Sequence, residues 1–307
     1  MSSAFLTILP VFLTILLGLF LRWSGLVGAS NWPSIDRLCY YVLFPAIFFR
    51  EIARADFTGV PVFGMAGAMV LTLAASFAVL IVFYRPLAAI LGTDGPQYSS
   101  VFQGVTRWHT FIAFALTTAY FGNAALALAA VSAAVMTPLL NIVCVAVMSN
   151  LTQHRRPDLA TLLKLILQNP FVLSSLGGVA WHITGLPVPW PLDPVLEISG
   201  RGALGIALLS AGAGLNLTGV KSLLPLGFAT VARQIAMPAL MALSLHLFGI
   251  TGEAASVAIL CLAVPTGSGS YVLARQLGGD APLMANILTL QMACAAITIP
   301  LVITWLT

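Results

Sequence analysis

Two polar, glycine-rich segments interrupt hydrophobic stretches of this chain, and they hold most of the residues that could bind a small ligand. The first is Gln103-Gly104-Val105-Thr106-Arg107-Trp108-His109-Thr110, and the second is Pro265-Thr266-Gly267-Ser268-Gly269-Ser270. Irregular backbone at membrane depth is tolerated only where it lines a protein-enclosed cavity, because lipid offers its N–H and C=O groups no partners. Matching interruptions in the two halves of a membrane protein therefore indicate the substrate site of a transporter.

The second segment has the chemistry of an anion site. Pro265 lacks an N–H and is expected to break its helix, while Gly267 and Gly269 let the backbone turn and approach a ligand closely. The half-helix that starts near Ser270 would direct N–H groups and a partial positive charge at the break. Hydroxyl groups come from Thr266, Ser268 and Ser270. The alternative is a proline kink whose small residues pack helices together.

Arg107 and His109 are the most informative side chains of the first segment. A charged residue in the bilayer normally faces a wet cavity, and the planar guanidinium suits a carboxylate. Arg107 could instead reach the inner surface or bind helix carbonyls. His109 titrates near physiological pH and could bind substrate or carry a coupled proton, and its alternative is a neutral ring bonded to a carbonyl.

Other polar residues within the hydrophobic stretches complete the predicted site. Arg233 is predicted either to make the cavity positive or to cap carbonyls of a neighbouring broken helix. Intramembrane amides can line a cavity or join helices by hydrogen bonds. The predicted substrate-binding residues are Gln103, Arg107, His109, Thr110, Asn141, Pro265, Thr266, Gly267, Ser268, Ser270 and Gln291, and the predicted supporting residues are Arg233, Asn169 and Pro45.

Composition places the whole chain in a membrane. Of its 307 residues, 60% are hydrophobic and 7% are charged, whereas soluble domains carry about 25% charged residues. About 20 apolar residues cross the hydrocarbon layer. The predicted spans are Ala4–Leu21, Ile35–Ile52, Pro61–Tyr84, Gln97–Tyr120, Asn123–Met148, Lys164–Thr184, Leu196–Leu215, Leu223–Leu247, Ala254–Gln276 and Pro282–Leu306. We therefore predict an all-α polytopic membrane protein with ten transmembrane helices.

Short internal matches suggest that the chain is a duplication. Phe57–Val60 resembles Leu217–Val220, and Phe121–Ala124 resembles Gly278–Ala281 at nearly the same offset. Because each half would contain five helices, the two halves must have opposite topology. The predicted units are a first repeat over residues 1–149, a polar linker over residues 150–162, and an inverted second repeat over residues 163–307.

The distribution of Lys and Arg predicts the orientation. With the N-terminus outside, eight basic residues fall in inner loops and three in outer loops, as the positive-inside rule requires. Both termini are then periplasmic or extracellular, the linker is cytoplasmic, and the protein lies in a bacterial inner membrane. This bias explains the net charge of +4, so no nucleic-acid partner is implied. All four cysteines (Cys39, Cys144, Cys261, Cys294) fall inside predicted spans without paired spacing, so neither disulfides nor a metal site is predicted.

Several short motifs are informative together: Phe102-Gln103-Gly104 with Arg107, Asn169-Pro170-Phe171, Arg233 with Pro238, Pro265-Thr266, and the string from Ser270 to Asp280. In these motifs the chain resembles the auxin efflux carrier family, and within it the bacterial malonate-type transporters. It implies a ten-helix fold of the sodium/bile-acid-symporter type with crossed broken helices four and nine, and export or exchange of small organic anions. His109 is a departure, since many relatives carry Asn there.

Several alternatives remain open on the sequence. Acidic residues are absent from the middle of the predicted spans, so a coupling ion, if any, is expected to be a proton rather than sodium. No nucleotide-binding or common hydrolase motif occurs and no cofactor is predicted. An intramembrane serine hydrolase would use Ser268 or Ser270 with His109 or His246 as the base. The other alternative is a channel-like or receptor protein, and homodimer formation stays open. The favoured interpretation is a non-enzymatic secondary carrier of small organic anions such as carboxylates.

Overall fold

The computed structural model describes residues 2–306 except 56, 58–60, 154–159, 161–163, 165–166 and 216–222, and its regular secondary structure is helical throughout. The helices are α1 (Ser2–Trp23), α2 (Trp32–Leu38), α3 (Phe44–Arg54), α4 (Val62–Val82), α5 (Tyr84–Leu91), α6 (Gly95–Thr106), α7 (Thr110–Phe121), α8 (Leu126–Gln153), α9 (Pro170–Ile183), α10 (Leu192–Ala213), α11 (Leu223–Val231), α12 (Met237–Leu247), α13 (Gly252–Ala263), α14 (Gly269–Leu277) and α15 (Ala281–Leu306). Turns of π-helix, Cys39–Leu43 and Ala232–Ala236, join α2 to α3 and α11 to α12.

Several helices have the length and hydrophobicity that a membrane crossing requires. Among the described residues, five helical stretches meet both conditions: Val62–Val82, Asn123–Thr152, Leu192–Ala213, Leu223–Leu247 and Ala281–Trp305. Shorter apolar helices cover Leu9–Trp23, Pro170–Ile183 and Gly252–Ala263. This is the helix content of a polytopic membrane protein, as the composition predicted.

Helices occur at each of the predicted spans, with differences at the boundaries. Helix α5 occupies a segment that the sequence analysis treated as a loop, and α8 continues to Gln153, so the predicted linker begins as helix. Most of the remaining linker lies outside the described residues, as do parts of the first pair of matching strings, at positions 58–60 and 217–220.

The helices pack as two groups. In the first group α3 packs against α9 and α10, and α10 packs against α1, while the second group comprises α4, α6 to α8 and α11 to α15. The groups meet where α7 contacts α1 and α10, where α8 contacts α3 and α9, and where α1 contacts α15. The two interrupted pairs, α6 with α7 and α13 with α14, both belong to the second group.

Helices α1 and α10 approach each other at two glycines. A Cβ atom on Gly212 would lie 1.7 Å from the carbonyl oxygen of Ile15, and one on Gly18 would lie 1.9 Å from that of Leu209. Small residues of this kind allow helix backbones in membranes to pack closely. The Arg22 side chain extends the contact, since its Nη1 donates to the Ala213 carbonyl at 2.6 Å.

Replacing Gly212 with valine is therefore expected to destabilise the protein. The new side chain would meet backbone atoms that cannot rotate away, so the cost should reach or exceed about 3 kcal/mol, the upper part of the usual range for overpacking. Gly205→Val is the matched control, because Gly205 lies on the same helix and a Cβ atom added to it would have no other atom within 4 Å. Thermal unfolding in detergent should show a large loss for Gly212→Val and a small one for Gly205→Val. Equal losses would contradict the packing argument.

Ion pairs join α3 to α10 at one end of the first group. Arg50 binds Asp193 at 2.9 Å and Glu197 at 2.9 Å, and Arg54 binds Asp193 at 2.9 Å. Arg201 pairs with Glu197 one turn away on α10. Most of these side chains are partly buried, so they hold the two helices together more effectively than exposed pairs do.

Candidate substrate site at the crossing of two broken helices

Both helix interruptions expected from the sequence are present. Helix α6 ends at Thr106 and α7 starts at Thr110, while α13 ends at Ala263 and α14 starts at Gly269. The first residue of each break has extended backbone, with ψ of 157° at Arg107 and 152° at Val264. Each break therefore leaves two helix ends, one carbonyl-terminated and one N–H-terminated, inside the protein.

The two breaks contact each other directly. A Cβ atom on Gly267 would lie 2.7 Å from the carbonyl oxygen of Trp108 and 3.5 Å from the Cα of His109. Only a residue without a side chain fits this approach, which is the role that glycine most often has where two backbones meet. The interrupted helices thus cross at their non-helical segments.

Thr266 and Gln291 form hydrogen bonds with backbone groups at the crossing. The Thr266 hydroxyl donates to the Gly104 carbonyl at 2.7 Å, and the Thr266 amide N–H donates to Gln291 Oε1 at 2.8 Å. Gln291 Nε2 also donates to the Gly104 carbonyl, at 2.8 Å, and to the Ala229 carbonyl at 3.1 Å. These bonds supply partners for backbone groups that the helix interruptions leave without any.

Arg233 is fully buried and binds the carbonyl-terminated ends of both broken helices. Its Nε donates to Val264 at 2.8 Å, its Nη2 to Cys261 at 3.1 Å and its Nη1 to Thr106 at 3.3 Å. Helix C-termini carry partial negative charge, so one guanidinium compensates two of them. Sequence analysis left two roles open for Arg233, and these contacts correspond to the second, in which it caps the carbonyls of a broken helix.

A cavity of about 120 Å³ lies on the other side of the crossing. The break residues that line it come from both interrupted helices: Arg107, Trp108, His109, Thr110, Phe111, Gly267, Ser268 and Gly269. The other lining residues are Tyr40, Thr137, Leu140, Asn141 and Phe171. The N-terminal ends of α7 and α14 therefore open onto one small space.

The charges around this cavity are positive. Arg107 Nη1 donates to Asn141 Oδ1 at 3.1 Å, and Arg107 Nη2 lies 3.8 Å from the position of a Cβ on Gly269, at the start of α14. Neither α7 nor α14 has a side-chain cap at its N-terminus. Uncapped helix N-termini favour anions, so the arrangement can hold a small anion between a guanidinium and two half-helix ends.

The predicted binding residues divide between the cavity and the packing behind it. Arg107, His109, Thr110, Asn141, Gly267 and Ser268 line the cavity, whereas Gln103, Pro265, Thr266, Ser270 and Gln291 do not. Gln103 and Ser270 are fully buried, and the polar atoms of their side chains have no hydrogen-bond partner. Of the supporting residues, Asn169 caps α9 by accepting from the Phe171 N–H at 2.9 Å, and Pro45 follows the π-helical turn in the first turn of α3.

Aromatic side chains form the wall that sequence reasoning missed. Phe111 stacks on Phe44 with ring centroids 4.2 Å apart. The ring centroid of Phe171 lies 4.7 Å from that of Tyr40 and 4.9 Å from that of Phe48. Apolar residues in a hydrophobic chain give no compositional signal of a site. Only the Asn169-Pro170-Phe171 string, noted for its family resemblance, pointed to one of them.

Comparison with known proteins gives two findings. The sequence profile of a family described as "Membrane transport protein" matches residues 3–303. A protein of Rhizobium meliloti (strain 1021) named "Putative malonate transporter" is 26% identical to this chain over 273 residues, which cover 81% of the chain and 78% of that protein.

Proposed function

Because this chain belongs to the membrane transport protein family, the family of auxin efflux carriers, we propose that it is a secondary carrier that moves small organic anions, carboxylates in particular, by alternating access. The observation that carries this proposal is the convergence of Arg107 and the N-termini of α7 and α14 on one cavity. Among the described residues that line it, none is Asp or Glu. Positive charge enclosed in this way favours a negatively charged occupant.

The size of the cavity supports a small substrate. Its volume of about 120 Å³ is well below the roughly 300–1,000 Å³ of pockets for drug-sized ligands. A short organic acid matches that space, and the malonate in the relative's name is one such acid.

We further propose that the fold consists of ten spans in two inverted repeats, over residues 1–149 and 163–307, with a cytoplasmic linker between them. One interrupted helix in each half and their mutual crossing support this arrangement, because inverted-repeat transporters place their binding site between such helices. The interrupted helices with their neighbours α8 and α15 would then move against the remaining helices. Transport coupling, if present, would use protons rather than sodium, and assembly as a homodimer is compatible with this scheme.

The aromatic contacts between the two helix groups support movement at that boundary. Phe44 and Phe48 of α3 stack on Phe111 and Phe114 of α7, with centroid distances of 4.2 and 4.7 Å. These contacts are apolar and carry no hydrogen bond between the rings. Sliding α7 past α3 would exchange one set of aromatic contacts for another without breaking polar pairs, which suits an alternating-access motion.

Exchange in proteoliposomes tests the proposed function. Labelled mono- and dicarboxylates are supplied outside, with and without the same unlabelled acid inside, and uptake by protein-free liposomes is subtracted. A carrier should show saturable uptake that internal substrate accelerates. Uptake without acceleration would favour the channel-like alternative, and absence of uptake for every acid would contradict a carboxylate carrier. For the serine hydrolase alternative, the buried Ser270 hydroxyl has no hydrogen-bond partner and therefore no base within reach.

The proposed orientation, in a bacterial inner membrane with both termini periplasmic, predicts opposite labelling of two exposed positions. In a cysteine-free background, Gln276→Cys should be protected from an impermeant thiol reagent in intact cells, and Glu253→Cys should react. Both side chains are exposed, and they lie at opposite ends of the α13–α14 pair. The reverse labelling pattern would show that the protein has the opposite orientation in the membrane.

A further inference from the structure

We propose that the Tyr40 hydroxyl binds the carboxylate of the substrate in one of the two states of the transport cycle and releases it in the other. Tyr40 would then set how tightly the first state holds the substrate and how readily the loaded protein leaves that state. This inference rests on the proposed function and gives a role to a residue that the sequence analysis did not select. Its basis is the origin of the residues that line the cavity at the helix crossing.

Most of the cavity lining belongs to the helices that are proposed to move with the substrate. The ranges Arg107–Phe111 and Gly267–Gly269 belong to the interrupted helices, and further lining residues come from their neighbour α8. Among the described lining residues, only Tyr40 and Phe171 come from other helices. Tyr40 lies in the π-helical turn before α3, and Phe171 lies in the first turn of α9. In the proposed motion, these two residues stay where they are while the rest of the lining moves.

The local sequence explains the irregular helix geometry at Tyr40. Pro45 has no N–H, so the Tyr41 carbonyl four residues earlier lacks its usual helical partner. The Phe44 N–H donates to the Cys39 carbonyl five residues earlier, which is the π-helical pattern. Tyr40 therefore lies in a single turn of π-helix, and such turns are frequent at functional sites.

The Tyr40 hydroxyl is available to a ligand. Its ring packs against Phe171 and Tyr41, with centroid distances of 4.7 and 4.9 Å. The hydroxyl donates to no group among the described residues, and the charge of Arg107 acts on the phenol. A phenolic O–H is a hydrogen-bond donor, and hydrogen bonds to ionised groups are roughly twice as strong as those between neutral groups. A carboxylate bound near Arg107 is therefore the partner that this hydroxyl would favour.

The small volume of the cavity brings its occupant to Tyr40. Liquid water takes up about 30 Å³ per molecule, so the cavity of about 120 Å³ has the space of about four water molecules. An organic acid that fills this space contacts the moving residues and Tyr40 together.

The two kinds of contact have different consequences for transport. Arg107 moves with the substrate in the proposed cycle, so its bond to the carboxylate persists in both states. Tyr40 stays behind, so its bond must break before the substrate reaches the other side. A contact that is present in one state only stabilises that state relative to the other, and it adds to the barrier for leaving it. Loss of the Tyr40 hydroxyl should therefore weaken binding and also speed the loaded transition.

Tyr40→Phe tests this inference, because it removes the hydroxyl and keeps the ring. Exchange of labelled malonate and of labelled propionate is measured in proteoliposomes with equal concentrations on both sides, after subtraction of exchange by protein-free liposomes. The half-saturation concentration should rise at least about tenfold, the scale of a hydrogen bond to a charged group. The maximal exchange rate should rise as well, by no more than the same factor.

Tyr41→Phe is the matched control, since Tyr41 is the adjacent residue, is 59% exposed and does not line the cavity. It should exchange both acids as the wild type does. Arg107→Gln is the comparison for a residue that moves with the substrate, and it should raise the half-saturation concentration without raising the maximal rate.

The outcomes separate this inference from the proposed function. An unchanged half-saturation concentration in Tyr40→Phe, with thermal unfolding like that of the wild type, would overturn the inference and leave a carboxylate carrier in place. A higher half-saturation concentration with an unchanged or lower maximal rate would show that Tyr40 does not act in one state only, and would also contradict it. No exchange of any carboxylate by the wild-type protein would overturn the proposed function and the inference with it.

Discussion

Gly267→Ala is expected to abolish transport while the protein still inserts and folds. A methyl group at this position would lie 2.7 Å from the Trp108 carbonyl oxygen and 3.5 Å from the His109 Cα. Both atoms belong to the backbone of the other break, so neither can rotate away as a side chain could. The clash can be relieved only if the two breaks separate. That separation would move the N-termini of α7 and α14 apart and change the shape of the cavity between them. Exchange in proteoliposomes is the measurement, with gel filtration in detergent to confirm folding.

Gly269→Ala is the matched control for this prediction. The two glycines are two residues apart in the same break and both line the cavity, but the nearest atom to a Cβ on Gly269 is Arg107 Nη2 at 3.8 Å. That is an ordinary van der Waals contact, so Gly269→Ala should retain most of the exchange rate. The sequence analysis gave both glycines the same backbone role, and the structure separates them. Near-normal exchange by Gly267→Ala would show that the crossing is not part of the moving site.

The positions of the breaks were predictable from the sequence because they depend on local chemistry. Pro265 cannot continue a helix, and a polar stretch such as Gln103–Thr110 cannot face lipid. The helix content also followed from composition, since long apolar stretches in a membrane have few alternatives to helix.

Which polar residues line the cavity and which support the backbone was not predictable, because it depends on contacts between residues far apart in the chain. Thr266 and Gln291 have the chemistry of ligand-binding residues, yet both are turned towards the Gly104 carbonyl. Arg233 meets Thr106 across a separation of 127 residues. No local pattern distinguishes a polar side chain that faces a cavity from one that supports the backbone behind it.

The two kinds of helix end at the crossing have different surroundings. The carbonyl-terminated ends of α6 and α13 meet the buried guanidinium of Arg233, and the N–H-terminated ends of α7 and α14 face the cavity without side-chain caps. The negative ends are therefore compensated inside the protein, while the positive ends remain available to an anion. A substrate anion would complete the compensation.

Arg107→Gln is expected to weaken anion binding by about 1.5–3 kcal/mol, the usual worth of a hydrogen bond to a charged group, or about 10- to 150-fold in Kd. The substitution removes the only guanidinium among the described cavity-lining residues, together with its bond to Asn141, and keeps a shorter, neutral polar side chain. The backbone carbonyl of Arg107, which accepts from the Thr266 hydroxyl at 3.2 Å, is unaffected by the change. The crossing should therefore survive, and the loss should appear in binding rather than in folding.

Calorimetry with propionate on the purified variant measures this loss, and thermal unfolding without ligand checks that the fold is intact. Arg85→Gln is the control, because it removes the same charge from an exposed position on α5 and should bind as the wild type does. A ligand that binds the native state raises its apparent stability, so propionate should stabilise the wild type and Arg85→Gln but not Arg107→Gln. If Arg107→Gln binds anions as tightly as the wild type, Arg107 supports Asn141 rather than the substrate. The half-helix N-termini would then be left as the only source of positive charge for the anion site.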